Sequence, residues 1–234
     1  MTLLDQEQVR SRLREISIII PVRDDREKLS KLMQELREYP EFEVVVVDYQ
    51  STDDPGSLDF EFVFCKSPVV GRGNQIYYGI ERATRDRLWI LHADTTLNPA
   101  AIAGLARAFD IYQWGSFNVQ IRHSHWMYRV VETMMNLRSR LTGISTGDQG
   151  VFVERELLDA IEGFPQIPLM EDIALCIRLK KICWPYRIKA KIGISARRWE
   201  RDGIWKTIVQ MWRYRYRYFR GHSTTKLYRE YYHD

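Results

Sequence analysis

The chain has 234 residues, 45% of them apolar and 28% charged, with a formal net charge of +4. That is enough apolar side chain for one large core, and no run reaches the roughly 18 apolar residues a membrane-crossing helix needs. Three cysteines, Cys65, Cys176 and Cys183, exclude a zinc site or a disulfide framework by number and spacing and are expected as reduced core residues.

Taken in order, "MTLLDQEQVRSRLRE" is charged and does not read as a leader, so a cytoplasmic protein is expected. "ISIIIPV", Ile16 to Val22, is short and apolar on both faces, the pattern of a strand covered by helices on each side. Leu29, Leu32, Met33 and Leu36 follow at helical spacing, with a stop before Pro40. "EVVVVD", Glu43 to Asp48, is a second buried strand; "STDDPGS" is a turn and "FEFVFC" a third strand. Ile76, Tyr77 and Ile80 mark a helix leading to the strand Leu88 to Leu91. Strand, helix, strand, loop, strand, helix, strand is the order of a parallel sheet wound with crossover helices.

The second half is less regular. Asn98 and Pro99 suit the start of a helix through Phe109. "SFNVQI" alternates like a half-exposed strand, and His125 to Leu141 has helical spacing. "GDQGVFV" reads as a strand entered through glycines; a short helix, the turn "GFPQIP" and a helix in "LMEDIALCIRLKK" follow. With no repeat or linker, 1–234 is expected to form one α/β domain.

In wound sheets ligands sit beyond the carboxyl ends of the strands. Asp24 and Asp25, Asp48, and Asp94 all follow strand ends. Such carboxylates suit a hard divalent cation shared with substrate phosphates, and Asp48 suits a ribose or base. The same residues also suit turn and helix capping without any function. Glu171 and Asp172 at a helix start complement its dipole; held over a cleft, one could take a proton from an acceptor hydroxyl. Arg197 and Arg198 suit a diphosphate, and Arg72, between two glycines, suits a phosphate or nucleotide contact. His123 and His125 are given no role.

Between Arg197 and Arg220 stand eight Lys or Arg against Glu200 and Asp202, a local balance of +6, which favours an anionic partner. Within it, Trp205, Ile208, Val209, Trp212, Tyr216 and Phe219 fit one helical face. That face suits either a membrane surface, with a lipid-linked acceptor, or packing on the domain with Arg stems over apolar surface. No RNA-binding motif is present, and no nucleic-acid partner is expected.

"ISIIIPVRDD", "EVVVVDYQSTDD", "GRGNQIYYGIERATRDRLWILHADT", "GDQGVFVERELLDAIEGFP" and "LMEDIALCIRLKK", in this order, resemble the family-two glycosyltransferases of the GT-A fold. With "SARRWE", the pattern from Ile16 to about Gly221 is most similar to the bacterial radical-SAM/selenodomain-associated transferases. The resemblance implies a nucleotide-sugar donor held by residues 1–122, an acceptor and catalytic half at 123–221, and a tail at 222–234. It implies base and ribose contacts from Pro21, Val22, Arg23 and Asp48. His92-Ala93-Asp94 stands at the Asp-x-Asp position, with Asp94 meeting Mg²⁺ or Mn²⁺ and the diphosphate. Asp172 matches the catalytic base, with Glu171 beside it, and Arg198-Trp199 resembles an Arg-Trp pair near the leaving diphosphate. Inverting transfer by a single displacement follows, and the expected place of action is the cytoplasm or the inner face of the membrane. His92 in place of an Asp, and bulky Tyr49, Gln50, Tyr77 and Tyr78, depart from the pattern. A sugar-phosphate nucleotidyltransferase is disfavoured because "PVRDDREKL" lacks the glycine-rich loop that class expects; a non-catalytic nucleotide, membrane or polyanion binder is the other alternative.

Overall fold

The computed structural model describes residues 5–232; the ends of the expected leader-free start and of the tail lie outside them. A seven-stranded sheet has the order β3-β2-β1-β4-β6-β5-β7. Strand β1 (Ile16–Val22) lies between β2 (Glu43–Asp48) and β4 (Arg87–Ile90), parallel to both, and β3 (Val63–Lys66) adds in parallel outside β2. The short β6 (Phe152–Glu154) runs antiparallel to β4 and to β5 (Trp114–Ile121), and β7 (Tyr186–Ile194) runs parallel to β5 at the edge.

The unbroken apolar runs follow from burial on both sides. Ile18, Ile20, Val44 and Val46 face one core, with Leu29, Leu32 and Met33 of α2 (Arg26–Leu36) and Ile102 and Leu105 of α4 (Pro99–Ala108). Ile19, Val45 and Val47 face the other, with Ile76 and Ile80 of α3 (Arg72–Arg82) and Leu175 and Leu179 of α7 (Glu171–Leu179). Alternate residues of one strand thus feed two cores. Asn98 caps α4 by accepting the Ala101 N–H at 2.9 Å, and Pro99 opens it. The remaining helices are α1 (Gln6–Leu13), α5 (Trp126–Thr142), α6 (Arg155–Asp159), α8 (Arg197–Asp202), α9 (Ile204–Phe219) and α10 (Thr224–Tyr232).

Two readings are corrected, and two segments that the sequence left open take a definite form. The strand expected at "SFNVQI" begins at Trp114 and is buried over most of its length, because α5 lies across it. Asn136 of α5 exchanges both hydrogen bonds with the Val119 backbone, at 2.9 and 3.0 Å. The segment expected as a tail forms α10, whose Leu227 is fully buried. Of the cysteines only Cys176 is a core residue; Cys65 and Cys183 are half-buried. Finally, the aromatic face of α9 does not pack on the domain: Trp205, Val209, Trp212, Tyr216 and Phe219 are exposed, and only Ile208 of the set is half-buried.

The chain leaves β1 for β2 and β3 on one side and returns to β4 on the other, which opens a crevice at the carboxyl ends. Gln75 of α3 sets its geometry. Its buried amide donates at 2.8 Å both to the Val22 carbonyl and to the Val47 carbonyl, joining the ends of β1 and β2.

Candidate functional site

A cavity of about 550 Å³ lies over that crevice. The end of β1 supplies Pro21 and Val22 to its lining, the residue after it Arg23, and the segment after β4 supplies His92, Ala93 and Asp94. Arg72 enters from α3, Asp172 from α7, and Arg198 and Trp199 from α8. These ten residues, all singled out from sequence, therefore line one hollow, with Asp24, Asp25, Tyr49 and Arg197 beside them. Asp94 and Asp172, 78 positions apart in the chain, share it.

Two singled-out carboxylates do not line it. Asp48 is buried, and its oxygens accept the Ser51 N–H at 3.2 and 3.4 Å, the turn-capping geometry. Glu171, 1% exposed, lies behind the lining and accepts Arg72 Nε at 2.5 Å. The residue expected beside the catalytic base is thus the counter-ion of the residue expected to hold phosphate. Burial opposes the charge on Arg72, but Glu171, with Tyr232, Asp172 and Asp148 behind it, raises its pKa well above the ordinary guanidinium.

From Glu171 a chain of polar contacts crosses the cavity wall. Arg72 Nη1 lies 3.3 Å from His92 Nε2, and His92 Nδ1 lies 2.9 Å from Asp148 Oδ1. Guanidinium has no acceptor, so Nε2 accepts and the imidazole proton sits on Nδ1, donated to Asp148. Burial alone would raise the Asp148 carboxyl; the hydrogen bond and electrostatic pull of His92, with the charges of Arg72 and Arg198, hold it at about 2. Both ring nitrogens of His92 are occupied by protein partners. The position that takes the place of an Asp is therefore a wall element and offers no lone pair to a cation.

Asp94 differs. Among the described residues no hydrogen bond or ion pair engages its carboxylate, and burial, opposed by His92 and assisted by the like charge of Asp148, raises its pKa. No three His, Cys, Asp or Glu side chains among the described residues form a ready metal cluster. One unengaged carboxylate in a partly dry cavity fits Mg²⁺ or Mn²⁺ in the manner of ions that take one or two protein carboxylates and complete their shell with water and substrate phosphate.

Asp172 is held at both oxygens: Oδ1 accepts the Ile173 N–H at 2.7 Å and Oδ2 the Gly147 N–H at 2.9 Å. Each oxygen keeps a second lone pair for the cavity. Arg197 and Arg198 part company as adjacent residues do. Arg197 forms a bidentate pair with Asp25 at 3.1 Å to each oxygen, tying α8 to the loop after β1. Arg198 has no carboxylate within bonding distance among the described residues; it reaches Gln210 at 3.4 Å and lies over the Tyr231 ring at 4.4 Å. Burial lowers its pKa against the pull of Asp148 and Asp202. Asp24, also on the cavity wall, is tied to Thr52 through its backbone N–H and hydroxyl.

The glycines flanking Arg72 serve a different approach from the one expected. A Cβ on Gly71, at φ +111°, would stand 2.4 Å from Pro168 Cα, and one on Gly73 would stand 2.2 Å from the Ile167 carbonyl oxygen. They admit the proline loop, which carries Met170 and Asp172 to the rim. The sequence reading missed Gln75, Asp148 and the tyrosines of α10. The "GDQG" glycines were legible, but as strand entry; Tyr228, which meets Arg23 at 3.2 Å, and Tyr231 and Tyr232 reach the cavity through a helix not foreseen.

The profile of glycosyl transferase family 2 matches residues 17–141. A search of curated proteins by sequence gives no match. Among solved structures, the chain is similar to TarS residues 1–349 of S. aureus in complex with UDP-GlcNAc, at 18% identity and a TM-score of 0.62, over 77% of this chain and 58% of that one. It is also similar to glucosyl-3-phosphoglycerate synthase from Mycobacterium tuberculosis in complex with Mn²⁺, UDP and phosphoglyceric acid, at 15% identity and a TM-score of 0.58, over 83% and 75%. The chain spans about three fifths of the length of the TarS fragment it matches. At these identities the likeness is one of fold, a mostly parallel GT-A sheet flanked by helices.

Proposed function

The chain belongs to glycosyl transferase family 2, and from that premise we propose that it moves a sugar from a nucleotide-diphosphate donor to an acceptor hydroxyl with inversion. The observation that carries the reading is the single cavity into which Asp94, Asp172 and Arg198 all project at the carboxyl edge of the sheet. The donor-bound state of the S. aureus neighbour, and the Mn²⁺ and UDP in the mycobacterial one, support the same use of this fold.

In this reading the base and ribose lie against Pro21, Val22 and Arg23, with Ala93 giving the sugar-side floor; Asp48 acts from below by fixing the turn after β2. Asp94 would hold the divalent cation, which supplies Lewis-acid stabilisation of the leaving diphosphate. Arg198, its charge uncompensated by any ion pair among the described residues, faces the same negative charge, and the effect counts because that charge grows toward the transition state. Trp199 fixes the arginine's helix by burial. Asp172 takes the proton of the acceptor hydroxyl. That oxygen bonds to the anomeric carbon from the face opposite the nucleotide, while the bond from that carbon to the diphosphate oxygen breaks and its electron pair leaves with the nucleoside diphosphate. Glu171 and Arg72 keep His92 and Asp148 in place and are positioning residues.

The division at 122/123 into donor and acceptor halves, membership of the radical-SAM-associated subgroup and a cytoplasmic site of action belong to this proposal. The test is a thermal-shift screen of nucleoside diphosphates with Mn²⁺ or Mg²⁺, followed by a hydrolysis panel of the matching nucleotide sugars. Cation-dependent stabilisation that vanishes in Asp94→Ala is expected; stabilisation indifferent to the cation and to Asp94 would remove the transferase assignment.

A further inference from the structure

Two helices beside the cavity carry apolar stripes open to solvent. On α5, Trp126, Val130, Met134, Leu137 and Leu141 fall on one face and are each 46 to 69% exposed. On α9, Trp205, Val209, Trp212, Tyr216 and Phe219 do the same at 60 to 71%. Between the stripes runs a groove of about 470 Å³ floored by Met127, Val131, Met135, Ile204 and Ile208. Trp199, Met211 and Arg215 line both this groove and the catalytic cavity, so the two hollows adjoin. Contiguous apolar surface of this extent marks an interaction site.

The charge on the same helices identifies the occupant. Together α5 and α9 carry seven Lys or Arg (three on α5, four on α9) and one acidic residue, Glu132. Glu132 is 4% exposed and consumed by Arg129 and Lys191 at 2.7 and 2.6 Å. Arg217 is paired with Glu230 of α10, so Arg138, Arg140, Lys206, Arg213 and Arg215 are the cations without an ion pair among the described residues. A second copy of the chain would bring two such cationic faces together, a like-charge apposition that opposes association. An anionic bilayer complements both features, since tryptophan and tyrosine settle at headgroup level and Lys and Arg meet the phosphates. Where groove and cavity meet, Arg138 and Arg215 form no ion pair with any described residue. Burial lowers the pKa of both, Arg138 to about 10, against weaker opposing pulls from Asp172.

We propose that the α5–α9 face docks on an anionic lipid bilayer, and that the groove receives the hydrocarbon chain of a lipid whose anionic, hydroxyl-bearing headgroup enters the catalytic cavity past Arg138 and Arg215. The docking is independent of the transferase reading; the assignment of that headgroup as the acceptor rests on it.

The test uses the full chain with vesicles of phosphatidylcholine alone or with about 30% phosphatidylglycerol, a lipid both anionic and hydroxyl-bearing. The variants are Met134→Glu on α5 and the pair Val209→Glu and Trp212→Glu on α9, all at exposed positions and outside the catalytic cavity. At least ten-fold more protein is expected on the anionic vesicles, with the excess lost at high salt and in each variant, while nucleoside-diphosphate binding and melting temperature stay unchanged. Equal partitioning of wild type and variants, or none, overturns the docking. So does a wild-type dimer in analytical ultracentrifugation that the variants convert to monomer, which would give the face to a second copy. Nucleotide-sugar turnover that rises with phosphatidylglycerol vesicles, and not with soluble glycerol phosphate, supports the acceptor step; turnover indifferent to both overturns it. Vesicle binding without any nucleoside-diphosphate binding keeps the docking and removes the transferase reading instead.

Discussion

Asp172 accepts the backbone N–H of Gly147 at 2.9 Å, so the first turn of α7 and the loop before β6 are joined through the carboxylate that faces the cavity. A base anchored this way cannot rotate out of the hollow without giving up that bond. Asp172→Asn keeps one oxygen for that bond, gives up the one accepted from the Ile173 N–H, and removes the basicity. Steady-state assay with the donor identified by screening is expected to show kcat reduced by about 10²- to 10⁴-fold, with a loss of stability of about 1 kcal/mol for the missing hydrogen bond.

Glu171 behaves oppositely. Replacing it by Gln leaves Arg72 charged at a buried contact without its counter-ion. A loss on the order of 3 kcal/mol is expected in denaturant unfolding, the low end for breaking a buried pair because Arg72 keeps some access to the cavity. The accompanying fall in kcat should be far smaller than that of Asp172→Asn; the reverse ranking would return Glu171 to the chemistry.

Gly73→Ala tests the close approach of the proline loop. The new methyl meets a backbone oxygen, which cannot rotate aside, so a destabilisation of about 1–3 kcal/mol is expected from overpacking. Because the displaced loop leads into α7, donor and acceptor KM should both rise.

Leu227→Ala examines α10 as a wall. Leu227 has no exposed surface and packs with Leu169, Tyr214 and Tyr228. Truncation is expected to cost about 2–5 kcal/mol of local packing, read as faster hydrogen exchange in α10 and a weaker affinity for nucleoside diphosphate, with little change in exchange of β1 and β2.

Cys176 supplies a check on burial. Desolvation pushes its thiol up to about 12, against the Ser145 N–H that donates to it, so at pH 8 only roughly one molecule in ten thousand carries the reactive thiolate there. Native labelling with a maleimide followed by peptide mass spectrometry should modify Cys183 and, more slowly, Cys65, whose pKa burial also raises, and should leave Cys176 untouched until unfolding.

The donor half was legible because its signals are one-dimensional. An apolar run between turn residues can hardly be anything but a doubly covered strand, and the strand ends then name Pro21, Asp94 and their neighbours. What the one-dimensional signals leave undecided needs a third dimension. Whether Glu171 or Asp172 faces the cavity depends on a rotation of about 100° along α7, which adjacency in "MED" does not disclose. Asp148 was hidden because its partner, His92, lies far away in the chain. Strand β7 was overlooked although Ile188, Ile192 and Ile194 recur at even spacing with Lys189 and Lys191 between them, the signature of a charged edge strand. The outer faces of α5 and α9 carry the periodicity of core helices, and periodicity reports a stripe without saying what lies against it.

The bridging amide of Gln75 sets a dimension. One planar carboxamide, with a hydrogen for each of two carbonyls, spans the gap between neighbouring strands at the point where their own ladder stops. The spacing of the β1 and β2 ends on the crevice floor is therefore held by a group of fixed size, and losing that amide would leave two buried carbonyls without a donor.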